Sequence, residues 1–323
     1  MRNLKTIFNV ENPTSQMIIA MEGILDGDYG SAYQHCIEQL FDEFKELPQL
    51  DGTHRLYRFV GIPNKVGRES LIQDIAHNRI TLANPKNFND PMDPILREWL
   101  EMQIRDAKFK EDAKTFKLLK NALKHLRICS LSGYKESRWH DRITPSKRQD
   151  QVYNPLMWSH YANSHKGICI EYEINPECLA RHNNDNELLR LCPCAYKEHK
   201  PMSDGITLDN ALMAKASCWS YEEEARLIYY SKNMSKWANP NYKDKNGKKN
   251  TKEARLLDYI FLEGFSVKAI YFGVRISQKD YFDVMRPLQS NNPSVKLFKM
   301  EFKKDDITQL KAVSVLNQGH SEF

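Results

Sequence analysis

Met157-Trp158-Ser159-His160-Tyr161-Ala162, followed by Gly167 and then Ile168-Cys169-Ile170-Glu171-Tyr172, decides the fold class. The first six residues read as a short helix, Gly167 as a turn, and the β-branched and aromatic run after it as a strand. The same interleaving continues on both sides without regular βαβ spacing, which favours a mixed α+β sheet over a doubly wound parallel one.

Upstream, Arg127–Ser132 alternates with period two: Cys129 and Leu131 point one way, Ile128, Ser130 and Ser132 the other. Leu56-Tyr57-Arg58-Phe59 is a strand, Gly61–Asn64 a turn, and Leu71, Ile72, Ile75 and Ala76 mark a helix. Ile80–Ala83 is a further strand, broken at Asn84-Pro85. A lysine-rich helix follows, with Phe116, Leu119, Leu123 and Leu126 inward. Downstream, residues 175–205 read as irregular or helical insertions and Leu208–Lys215 as a helix. Ala225–Tyr230 is a strand, Leu256–Leu262 a helix, and Ala269–Gly273 and Val295–Phe302 are strands. The expected architecture is α+β: a mixed, mostly antiparallel sheet with interleaved helices, forming one domain over residues 52–323. Residues 1–50 form a helical extension before it. There Ser31 and Gln34 have capping-box spacing, Ala32, Cys36, Ile37, Leu40, Phe41 and Phe44 form one stripe, and Leu47-Pro48 ends the helix.

Composition excludes several classes. Lysine and arginine (47) barely exceed aspartate and glutamate (42), so the charge permits contact with nucleic acid without arguing for it. The start has no apolar signal-peptide core, and no apolar run approaches a membrane span. Seven cysteines without repeated spacing suit a reducing compartment, so the expected location is cytoplasmic. Walker A, Gly-x-Gly-x-x-Gly and His-Glu-x-x-His patterns are absent, which argues against a kinase, a dinucleotide oxidoreductase or a zincin. Cys178, His182, Cys192 and Cys194 offer zinc-type ligands, but Cys-x-Cys after Cys-x-x-x-His is not a finger spacing, and no metal is expected.

The ordered motifs Leu56–Phe59, Asn87-Phe88-Asn89-Asp90-Pro91-Met92-Asp93, Met157–Ala162 with His165-Lys166-Gly167, Trp219-Ser220-Tyr221-Glu222-Glu223-Glu224-Ala225-Arg226, and Ala269–Gly273 resemble those of DUF2971, a bacterial family of unsettled function. The resemblance spans residues 54–302 and is most specific at Trp158–Ala162. The layout is also similar, more distantly, to ADP-ribosyltransferases. These place an Arg or His on the first strand, a Ser or Tyr on or after a middle strand, and a Glu at a later one; the matches are Arg58, Ser132 or Tyr161, and Glu224. The implied activity is NAD glycohydrolysis or ADP-ribose transfer to a nucleic-acid or protein acceptor, in phage defence or a toxin system.

Each candidate has a bland alternative. Glu222 and Glu224, two apart at a strand entrance, share a face; Glu224 stabilises the sugar cation of nicotinamide–ribose cleavage and Glu222 orients the acceptor, or both form a surface acidic run paired to Arg226. Arg58, flanked by Tyr57, holds a phosphate or ribose, or is an edge arginine bonded to Asp90 or Asp93. His160 and Tyr161 form a stacking platform for nicotinamide or a base, or belong to a packing helix. Ser132 is a weaker candidate for the same pocket. Asn89, Asp90 and Asp93 around Pro91 form a rigid turn or line a pocket. A rival reading is a binding module without catalysis, using the basic loops 133–154 and 242–250.

Overall fold

A computed structural model describes residues 29–88, 121–134, 150–198, 208–233 and 257–315. The chain runs through α1 (Tyr29–Lys45), β1 (His54–Val60), α2 (Lys65–Ala76), β2 (Ile80–Ala83) and β3 (Leu126–Ser132). It continues through α3 (Pro155–Tyr161), β4 (Ile168–Ile174), α4 (Pro176–Ala180), β5 (Glu187–Pro193), β6 (Ala195–Lys197), α5 (Leu208–Met213) and β7 (Ala214–Ala216). The last elements are β8 (Glu224–Ser231), β9 (Tyr259–Leu262), β10 (Ser266–Phe272), α6 (Gln278–Asn291), β11 (Lys296–Phe302) and β12 (Leu310–Ser314). Four helices start where a short polar side chain satisfies a free backbone donor: Asn64, Asn154, Asn175 and Ser277 accept from Gly67, Leu156, Cys178 and Asp280. Pro155 and Pro176 occupy the first helical turn, where no donor is lost.

The main sheet has the order β12-β11-β10-β4-β1-β3-β2-β9, and β8 also pairs with β3 and β5 with β8. All these pairings are antiparallel except β10 with β11, which α6 connects as a crossover. The class is therefore α+β with a mostly antiparallel mixed sheet. One face carries a single core under α2, α4 and α6, built on Leu56, Leu131, Ile170, Leu227 and Phe272. The other face carries two separate cores. One lies under α1 and α5, around Phe41, Ile128, Ile228 and Tyr230; the second lies under α3, around Trp158, Phe59, Cys169 and Tyr271. The seam between these two cores positions the site.

Several expectations need correction. Ser31 lies inside α1 rather than ahead of it. Residues 175–205 contain strand β5, paired to β8 alone and buried on both faces, because Leu189 and Leu191 face one core while Leu188 and Cys192 face another. The segment ending at Leu262 is strand β9, paired to β2 from Ile80↔Leu262 to Ala83↔Tyr259, not a helix. α6 and β12 were not anticipated. The Asn89–Asp93 turn, most of the lysine-rich helix and the basic loops fall outside the described residues.

The motif His165-Lys166-Gly167 and Gly273 turn out to be a backbone lock. Asn163, Ser164 and His165 adopt φ of +48°, +54° and +68°, which tightens the α3–β4 turn. Gly273 N donates to Gly167 O (2.9 Å) and Arg275 N to His165 O (3.0 Å). A Cβ on Gly273 would sit 2.2 Å from His165 O, and one on Gly167 2.2 Å from Val60 O. Neither backbone oxygen can rotate away. Gly273→Ala is accordingly expected to cost about 2–3 kcal/mol, a fall in thermal midpoint that calorimetry would register. An unchanged midpoint would mean that the close approach is relaxed in solution.

Candidate functional site

β3 has two different neighbours along one edge. β1 meets it only at Tyr57↔Ser132, and β2 only at Ala83↔Ile128. Between those rungs β1 and β2 diverge, and the sheet forks. A cavity of about 500 Å³ opens there, within the size range of small-ligand sites. Arg58, Tyr161, Lys215, Trp219, Glu222 and Glu224 are among its walls, as are Tyr57 and Ser132. Of the seven NAD-site candidates (Tyr57, Arg58, Ser132, His160, Tyr161, Glu222 and Glu224), His160 alone stands outside it. It is exposed, and its ring lies 6.1–6.3 Å from those of Tyr161, Trp219 and Tyr221 in an aromatic rim.

The acidic wall is built by a sharp local turn. Ser217–Glu222 is a single 3₁₀ stretch, closed by Glu223 in the left-handed region (φ +46°). Gly133 N and Tyr134 N donate to Glu223 O, and Ser132 Oγ donates to Glu222 O (2.5 Å). Ser132 thus lines the cavity, but its proton is committed to fixing this turn. Glu222 and Glu224 do not share a strand face as the spacing suggested, because the turn intervenes. Their carboxylates meet instead at Lys215. Its Nζ lies 2.5 Å from Glu222 Oε2 and 2.7 Å from Glu224 Oε2. Arg226 Nε donates to the other oxygen of Glu224 (2.8 Å), and Arg226 also donates to Leu212 O.

The two glutamates therefore differ chemically. Burial alone would raise the Glu224 carboxyl, but Arg226 and Lys215 outweigh it and hold the group well below its ordinary range. Both its oxygens are in ion pairs and it is 3% exposed. Glu222 has one cation only, and its Oε1 accepts the Tyr161 hydroxyl (2.5 Å). Burial pushes its carboxyl above the usual range despite Lys215 and Tyr161. Burial and Glu222 together push the Tyr161 phenol well up, so it remains a proton donor.

Arg58 also borders the cavity. It lies on β1, an interior strand between β4 and β3, not at a sheet edge. Its side chain leaves on the face of Leu56 and Val60, where it is hydrogen-bonded with Tyr172. Burial opposes its charge, but Cys129, Tyr172 and Asp74 more than offset that and keep it cationic. Tyr57 is buried on the opposite face, its ring against Gly133 and near Glu171.

Lys215 escaped the sequence reading as a site residue, and Trp219 entered it only as part of a family motif. The available signal was a lone lysine inside Ala211-Leu212-Met213-Ala214-Lys215-Ala216, shortly before three consecutive glutamates. A charge buried in so apolar a run requires a partner. Cys178 and Cys192 belong to cores on opposite faces of the sheet, and His182 stacks on Phe265. Among the described residues no group of three or more His, Cys, Asp or Glu is placed to hold a metal, and no helix is long and apolar enough to cross a membrane.

Residues 157–263 match the model of a family described as a protein of unknown function, DUF2971. This stretch runs from α3 to β9 and holds Tyr161, Lys215, Trp219, Glu222 and Glu224; Arg58 and Ser132 lie before it. It is narrower than the span over which the motifs resemble that family. No curated protein and no solved structure matches the chain.

Proposed function

We propose that the cavity binds NAD and that the protein cleaves its nicotinamide–ribose bond, by hydrolysis or by transfer of ADP-ribose to a nucleic-acid or protein acceptor. The observation that carries this reading is that the hydrogen-bonded Glu222–Tyr161 unit and Arg58 border the same cavity. Breaking a glycosidic C–N bond builds positive charge on the sugar, which a fixed carboxylate in a dry site stabilises. Glu222 takes that role, and Glu224, neutralised by two cations, serves to hold Lys215 in place. Arg58 would bind the pyrophosphate, and the Tyr161 and Trp219 rings would flank the leaving heterocycle. The distant ADP-ribosyltransferase resemblance supports the class of reaction by analogy but matches its glutamate to Glu224, so the choice of Glu222 rests on the ion pairs. Destroying or diverting NAD is what a phage-defence or toxin component would be built to do.

The test is release of labelled nicotinamide from NAD, with and without nucleic acid and protein acceptors. Arg58→Met should raise KM about 10–100-fold, the value of one charge-assisted phosphate contact, with a smaller change in kcat. No release by the unaltered protein under any of these conditions would remove the proposal.

A further inference from the structure

Among the described residues, the fork leaves one rung of β3 without a strand beside it. Gly133 N donates across to Glu223 O on the β8 side (2.9 Å). Antiparallel alternation then turns Leu131 and Cys129 toward β8, and Ser132, Ser130 and Ile128 toward the opposite edge. On that edge Ser132 faces Tyr57 and Ile128 faces Ala83, while neither β1 nor β2 has a register partner for Ser130. Ser130 is also the one exposed residue of an otherwise buried strand, and it lines the cavity. Its carbonyl has the Cys129 thiol at 3.8 Å, a weak contact. A main-chain donor and acceptor therefore point side by side into the cavity.

We infer that the Ser130 main chain is a recognition edge for a planar group that carries an adjacent hydrogen-bond donor and acceptor, such as the edge of a nucleobase or a carboxamide. An extended peptide is the other group that pairs with a strand edge, but the fork is too narrow for one. A chain running along β3 would meet β1 at Ser132 and β2 at Ile128, within two residues on either side. A compact heterocycle entering end-on meets neither. The aromatic wall residues Trp219 and Tyr161 offer faces against which such a ring can lie. The inference deepens the proposed reading by naming what part of a nucleotide the fork selects, and it concerns binding alone.

Amide hydrogen exchange on protein labelled with ¹⁵N-serine tests it, with Ser130→Ala identifying the resonance. Without ligand, the Ser130 amide should exchange at least 100-fold faster than that of Ser132, which pairs with β1. 9-Methyladenine or nicotinamide at millimolar concentration should slow it at least 10-fold, whereas 9-methylpurine and nicotinic acid, which lack the donor, should not. The two active probes separate a base-binding from a carboxamide-binding edge. A Ser130 amide already as protected as Ser132, or one that stays open with both probes, overturns the inference. Because this readout needs no turnover, a protein that fails to cleave NAD but shows the protection would lose the proposed reaction and keep the site.

Discussion

Lys215→Met is expected to destabilise the protein by about 3–5 kcal/mol at neutral pH, the usual cost of removing one partner from a buried ion cluster. For a chain of this size that is a fall in thermal midpoint of roughly 10 °C. One ammonium serves two carboxylates that are 4% and 3% exposed, so its loss leaves Glu222 without a cation and Glu224 with Arg226 alone. The pH dependence gives the deficit a signature. In the variant the Glu222 carboxyl must lie still further above its unfolded value of about 4.3. The folded state then binds the extra proton first, so stability rises as pH falls through the folded pKa and levels off near the unfolded one. Glu224 behaves oppositely: its depressed carboxyl contributes stability that is lost only as pH falls through its low folded value. The variant should therefore recover part of its deficit as pH falls from neutrality toward the ordinary carboxylate range, while the unaltered protein does not gain to the same extent. Adding Glu222→Gln should recover part of it at pH 7. A midpoint within about 2 °C of the unaltered protein would show that solvent reaches the cluster and that the carboxylates need no shared cation.

How far this site was legible follows from which contacts are local. The faces of β3 were readable because period-two alternation is local: Cys129 and Leu131 do pack in one core and Ile128 in another. β9 was misread because Leu256-Leu257-Asp258-Tyr259-Ile260-Phe261-Leu262 is a short apolar run whose period cannot separate helix from strand; pairing with β2, distant in sequence, decides it. In 175–205, attention to cysteine spacing obscured Leu188-Leu189-Arg190-Leu191-Cys192, a run that gives apolar residues to both cores although its strand pairs with β8 alone. Arg58, Tyr161, Glu222 and Glu224 could each be picked out by residue type and position. Which carboxylate is open to the cavity could not, because that depends on Glu223 turning left-handed and on Lys215 arriving from another strand.

That distinction sets the expected contrast between Glu222→Gln and Glu224→Gln. If Glu222 stabilises the developing sugar cation, its amide keeps size, its oxygen can still accept from Lys215 and its NH2 can donate to the Tyr161 oxygen, but it carries no charge. Loss of one well-placed transition-state charge costs about 3 kcal/mol, or 10²–10³ in kcat. KM should change little, because the ground-state substrate does not yet carry that charge on its ribose carbon. Folding is expected to suffer only moderately, since Lys215 keeps Glu224 as its partner. Glu224→Gln should do the reverse. It removes the group that pairs with both Lys215 and Arg226, so the expected result is a thermal midpoint lower by several degrees. With the charge of Glu224 gone, the stronger hold of Lys215 on the Glu222 carboxylate should cut kcat by a smaller factor, about 10. Measuring midpoint and kcat on the same two preparations separates the roles. A Glu224→Gln protein that is folded and fully inactive beside an active Glu222→Gln would return the chemistry to Glu224 and leave Glu222 as the orienting group. Equal, mild losses in both would mean that neither carboxylate meets the reacting sugar, and that the charged cluster is the wall of a binding site.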